Sequence, residues 1–275
     1  MPFFSSHGRP IYYERHGQGP ALLFLHGAGS NGATWWQQLP EFTRHYTCLV
    51  MDIRCFGRSG APTSEFRLPL FVDDVIALLD HEGVSRAVLV GQSLGGMIGL
   101  RTALDHPQRV SAFVACDSSL ATDHPRQLEI LARRLESVAP MSIEQRSLGH
   151  WFLEHRPALA ALYAQINHFN PSAHSIPPQQ WRAAMEGLHR PQDLTPMSAL
   201  PRLACPLLLL VGREDPIVPV DIMEEVAALV PGSELAVIEQ AAHSAYFEQP
   251  EAVNRTVLEF LGRRLGLRND QPEVA

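Results

Sequence analysis

Ser93 sits in the run Val88-Leu89-Val90-Gly91-Gln92-Ser93-Leu94-Gly95-Gly96-Met97, where an apolar strand pattern meets Gly-x-Ser-x-Gly and then a helical pattern. In that context the serine is a candidate nucleophile. A sharp strand-to-helix turn holds it in a strained backbone conformation and lifts its Oγ clear of the sheet. The same turn brings neighbouring backbone close, so the residues two before and two after must be small, as Gly91 and Gly95 are. Serine is a weak nucleophile at neutral pH and needs a base within hydrogen-bond reach and an acid to orient that base. Of 13 histidines, His243 has the context for the base, because it follows the apolar run Leu235–Ile238 after a short loop. His7, His16, His124 and His189 lie in polar surroundings, and His150, His155, His168 and His174 fall in a long stretch without strands. Asp215 is the candidate acid, in the loop Gly212-Arg213-Glu214-Asp215-Pro216 after the run Leu207–Val211. Its neighbour Glu214 is one alternative, and Asp117, after Val110–Cys116, is another. Acid and base both fall past the carboxyl end of a strand, the edge where open α/β sheets place their sites.

Acyl transfer also needs two N–H groups aimed at the developing oxyanion. Leu94, next to the serine, supplies one candidate. The loop His26-Gly27-Ala28-Gly29-Ser30 after Ala21–Leu25 supplies the other, at Ala28, with His26 expected to tie the loop down.

Elements that would hold these residues recur along the chain. Ile11–Arg15, Ala21–Leu25, Thr47–Ile53, Ala87–Val90, Val110–Cys116, Leu207–Val211 and Leu235–Ile238 read as strands. Most are apolar throughout, as strands buried on both faces of a parallel sheet are. Leu70–Glu82, Gly95–Asp105 and Val220–Val230 repeat at helical spacing between them. This alternation predicts a doubly wound α/β sheet. Residues 120–197 break the rhythm and read as a helical cap inserted between core segments 1–119 and 198–275, with helical patterns over Arg126–Val138 and Ile143–Glu154. Its aromatic content, with Trp151, Phe152, Tyr163, Phe169 and Trp181 beside Met141, predicts a lining for a hydrophobic or aromatic substrate. Of the pair Trp35 and Trp36, one is expected in the core and Trp36 is assigned to the pocket.

Bulk composition narrows the chemistry. The 275 residues are 45% hydrophobic and 19% charged, with a net charge of −7. That balance speaks against a nucleic-acid or anionic-membrane partner. All 22 basic residues are arginine, so no lysine is present for a Schiff base. Cys48, Cys55, Cys116 and Cys205 form no Cys-x-x-Cys pair, which gives no zinc or redox site. No metal and no cofactor is expected. The first residues show no basic start followed by an apolar core, and a reducing cytoplasm in a bacterial cell is the expected setting.

Taken together, His26-Gly27-Ala28-Gly29, Asp52-Ile53-Arg54-Cys55-Phe56-Gly57-Arg58-Ser59, Gly91 to Gly96, His106-Pro107, Gly212 to Pro219 and Ala242-His243-Ser244 stand in the order of the α/β-hydrolase superfamily. The chain resembles bacterial lidded carboxylesterases and enol-lactonases, and more distantly the carbon–carbon hydrolases of aromatic degradation. The resemblance implies a mostly parallel eight-stranded sheet and a cofactor-free serine hydrolase. Its expected substrate is a small carboxylic ester or lactone, and the protein a monomer or homodimer. Carbon–carbon bond hydrolysis, perhydrolysis of the cofactor-free haloperoxidase type, and ligand binding without catalysis are the alternatives. Three positions depart from those patterns. Cys55 stands where the superfamily loop carries glycine. Ser244 stands where the carbon–carbon hydrolases carry tryptophan after the histidine, and Gly29-Ser30-Asn31 replaces their Gly-Pro-Gly. A serine nucleophile, rather than aspartate, argues against dehalogenase and epoxide hydrolase chemistry.

Overall fold

A computed structural model describes residues 2–136, 142–168 and 177–266. Eight strands form one sheet: β1 (Phe3–Ser6), β2 (Arg9–His16), β3 (Ala21–Leu25), β4 (Thr47–Met51), β5 (Ala87–Gln92), β6 (Val110–Cys116), β7 (Leu207–Gly212) and β8 (Glu234–Ile238). Their order is β1-β2-β4-β3-β5-β6-β7-β8. β1 pairs with β2 and β2 with β4 antiparallel, and every other pairing is parallel. β1 was not among the expected strands. It is a four-residue edge strand whose burial alternates, so it lacks the continuous apolar signal of its neighbours.

The continuous runs have a direct structural cause. Successive side chains of a strand point to opposite faces. Leu23, Leu25, Leu49, Leu89, Phe113 and Leu209 go to one buried layer, while Leu22, Phe24, Val50, Val90, Val114 and Leu210 go to the other. Helices cover both. α1 (Leu39–Phe42) lies beyond β3, α2 (Leu68–His81) and α3 (Leu94–Asp105) flank β5, and α9 (Val220–Leu229) joins β7 to β8. α10 (Ala245–Glu248) and α11 (Pro250–Leu265) complete the chain, α11 closing the second layer through Val253, Val257, Phe260 and Leu261.

Between β6 and β7 the described residues form five α-helices: α4 (Pro125–Glu136), α5 (Ile143–Ser147), α6 (His150–His155), α7 (Pro157–His168) and α8 (Pro178–Gly187). A single parallel bridge, Thr122 to Thr195, closes the base of this insertion. The pattern over Ile143–Glu154 is two helices rather than one. The chain leaves the helix at Leu148, in extended backbone, and starts again after Gly149, also extended. Met141, Phe169 and His174 lie outside the described residues, and so does the end of the pattern over 126–138.

Candidate active site

The turn between β5 and α3 carries the strain its sequence predicts. Ser93 has φ 49° and ψ −108°, in the left-handed half of backbone space. Both flanking glycines are required. A Cβ on Gly91 would stand 2.3 Å from the Gly95 carbonyl, and one on Gly95 would stand 2.1 Å from the Leu25 carbonyl oxygen.

Loops from β7 and β8 bring two side chains to this turn. His243 Nε2 lies 3.0 Å from Ser93 Oγ, and its Nδ1 lies 2.9 Å from Asp215 Oδ2. Asp215 is buried, and its Oδ1 accepts from the amides of Ile217 (2.8 Å) and Val218 (3.1 Å). These bonds fix the carboxylate, so Nδ1–H donates to it and Nε2 is left to accept from the serine hydroxyl. The two alternative acids are placed elsewhere. Glu214 accepts from the His150 amide at 3.0 Å. Asp117 is fully buried at the end of β6 and accepts from Gly212 N–H (2.8 Å) and Ala245 N–H (3.0 Å). Burial, with Asp215 nearby, pushes the Asp117 carboxyl well above the usual carboxylate range.

The loop after β3 lies against the serine turn. A Cβ on Gly27 would stand 2.0 Å from Gln92 Oε1 and 3.4 Å from Ser93 Cβ. His26 Nδ1–H donates to the Gly27 carbonyl (2.7 Å), and its Nε2 accepts from Ile53 N–H (2.9 Å). This buried imidazole ties the loop to the segment after β4, and burial lowers its pKa. Among the described residues, the amides of Ala28 and Leu94 find no acceptor within the protein. The Leu94 amide is one of the unpaired N–H groups that begin a helix.

Several contacts here were not expected from the sequence. Gln92 donates to the His243 carbonyl oxygen at 2.7 Å, fixing the histidine loop from the serine side. Tyr163 Oη lies 2.9 Å from Ser244 Oγ. Asn31, just past the β3 loop, donates to the Ile166 carbonyl of α7 at 2.8 Å. Glu248, five residues after His243, accepts from amides on both sides of that histidine.

A sequence profile of the α/β hydrolase fold matches residues 20–250. The chain belongs to the α/β-hydrolase fold family. It is 28% identical over 261 residues to the pimeloyl-[acyl-carrier protein] methyl ester esterase of Vibrio vulnificus, across 92% of this chain and 98% of that protein. It is 28% identical over 253 residues to 3-oxoadipate enol-lactonase 2 of Acinetobacter baylyi, across 90% and 91% of the two chains. The solved structure of Est816, described as an N-acyl homoserine lactone degrading enzyme, superposes with a TM-score of 0.80 at 28% identity, across 94% of this chain and all of that one.

The aromatic residues assigned to a pocket are mostly used otherwise in this α/β-hydrolase. Trp36 does not join the site. Trp35 takes the core position against Phe24 and Tyr246, and Trp36, one residue on, is 43% exposed. It lines a surface groove of about 550 Å³ with Pro40, Pro250, Asn254 and Leu258. Phe152 is buried against Phe247, which also receives Tyr163 edge-on at 4.9 Å. Trp151 stacks on His155. Trp181 packs edge-on against Phe56 and Phe66 and so seats α8 on the core. Phe152, Tyr163 and Trp181 thus pack the insertion onto the core. Among the described residues no cluster of His, Cys, Asp and Glu has the geometry of a metal site, and no helix is long and apolar enough to cross a membrane.

Proposed function

We propose that the protein is a serine hydrolase that cleaves a small carboxylic ester or lactone through an acyl-enzyme on Ser93. The observation that carries this reading is the aligned chain Asp215–His243–Ser93, with 2.9 and 3.0 Å links, beside two amides that have no partner among the described residues. His243 Nε2 takes the Ser93 proton as Oγ attacks the carbonyl carbon. Asp215 keeps Nδ1 protonated and stabilises the imidazolium that forms. The oxyanion accepts from Ala28 N–H and Leu94 N–H, for which no acceptor competes among the described residues. The alcohol, or the ring hydroxyl of a lactone, leaves with the proton from His243. Water, deprotonated by the same nitrogen, then releases the acid and restores the serine. The esterase and lactonase names of the relatives support this substrate class. Hydrolysis of short p-nitrophenyl esters and a panel of lactones by the purified protein is the test. Ser93→Ala is expected to lower kcat about 10⁴- to 10⁶-fold. A wild type inert to all esters and lactones, or a Ser93→Ala variant of undiminished activity, sinks the reading.

A further inference from the structure

Three carboxylates besides Asp215 sit behind His243, and all three bind backbone. Asp117 ties the end of β7 to the start of α10, both in the core, and Glu214 holds the His150 amide at the start of α6. Glu248, the last residue of α10, bonds to both core and insertion. Its Oε1 accepts from Ala242 N–H (2.8 Å) and Ser244 N–H (3.3 Å), the amides that flank His243. Its Oε2 accepts from Gly149 N–H (2.7 Å), at the start of α6 in the helical insertion. The residue is 4% exposed, so these amides take the place of solvent around the charge. Gly149 is fitted to the same contact. A Cβ there would stand 2.9 Å from Glu214 Oε2 and 3.1 Å from Glu248 Oε2, so a larger residue would push both carboxylates aside. The bond between Tyr163 and Ser244 is a second tie from the insertion to the same loop.

We propose that Glu248 is a positioning residue that couples the seating of the helical insertion to the placement of the His243 imidazole. One planar carboxylate holds both partners. A shift of Gly149 therefore turns the group that shapes the peptide on each side of His243. The inference rests on the serine-hydrolase reading above.

Protonation supplies a signature. Burial pushes the Glu248 carboxyl up to about 7, with the charge of Asp215 acting in the same direction and the three amides opposing. Asp117, Asp215 and, from α7, Tyr163 interact with it, Glu214 shares its place beside Gly149, and Arg146 of α5 acts on Tyr163. The ionised carboxylate accepts from all three amides, whereas the acid places a hydrogen on one of the two oxygens. The rise of kcat/KM with pH therefore contains the ionisation of Glu248.

The experiment compares wild type, Glu248→Gln, Gly149→Ala and the double variant on p-nitrophenyl butyrate, with active sites counted by a fluorophosphonate. Each single variant is expected to lose about 10- to 100-fold in kcat/KM per labelled site. The double variant should lose no more than the worse single one, because both break one connection. The wild-type profile of log kcat/KM should carry an inflection near pH 7 that is missing from the profile of Glu248→Gln. The proposal is overturned if Glu248→Gln only lowers the labelled fraction, if its pH profile matches wild type, or if the two losses multiply. If wild type turns over no ester yet labels at Ser93, the ester reading fails, and the labelling rate against pH tests the coupling with the same variants. A wild type that neither turns over nor labels overturns both.

Discussion

At the scale of single residues, Ser93 holds an unfavourable backbone conformation that its neighbours impose. A non-glycine residue at φ 49°, ψ −108° costs on the order of 1–3 kcal/mol. Ser93→Gly should therefore raise the unfolding free energy, by about 1 kcal/mol after the extra chain entropy of glycine is counted, while ester turnover disappears. Urea unfolding read alongside activity checks both halves, and a destabilised variant would show that the turn is not strained. The acid assignment has an equally direct test. Asp215→Asn should lower kcat by about 10⁴-fold, since it loses the group that fixes the His243 tautomer. Glu214→Gln keeps that contact and should leave kcat within about tenfold. The order reversed would move the acid role to Glu214. Ser93, His243 and Asp215 were legible as candidates because each follows a strongly apolar strand. Glu248, Gln92 and Asn31 were not, because their partners are backbone groups of distant segments and a backbone group has no residue type to read.

Elements explain why the turn tolerates so little. β3, β5 and α3 meet where Gly95 lies against the Leu25 carbonyl, 2.1 Å from where a Cβ would stand. That carbonyl belongs to a central strand held on both sides, so it cannot retreat. Gly95→Ala is expected to cost at least about 1–3 kcal/mol and to displace Ser93, seen as a lower melting temperature with a fall in kcat. Unchanged values would mean that α3 can slide along the sheet. Cys55 makes the converse point. It keeps the left-handed backbone, φ 75°, at the position where the family loop carries glycine, so the loop geometry survives the substitution. Strand assignments read well from sequence because both faces of the central strands are buried. The two-helix form of residues 143–155 did not, since Gly149 breaks the pattern through a contact with Glu248, 99 residues away.

For the whole molecule, the helical insertion and the core share buried charge, and stability should register it. Glu248 has a folded pKa of about 7, above the ordinary 4.5. The folded state holds that proton more tightly, so the contribution is full below about 4.5 and is lost as pH rises through about 7. The stability of wild type relative to Glu248→Gln, which does not titrate, should therefore fall between about pH 4.5 and 7 and level off above. Denaturant melts across that range test it, and a difference that rises with pH would contradict the buried, proton-retaining carboxyl. Local pattern determined the sheet class, the order of the candidate nucleophile, acid and base along the chain, and the glycines of the serine turn. Strand burial and turn sterics act over a few residues and leave their mark in residue type. Tertiary structure decided between Asp215 and its two alternatives as the carboxylate that meets His243, that Trp35 rather than Trp36 is buried, and that Phe152, Tyr163 and Trp181 pack against the core. Those outcomes depend on which distant surfaces meet, and hydrophobicity records that a ring is buried without recording what it is buried against.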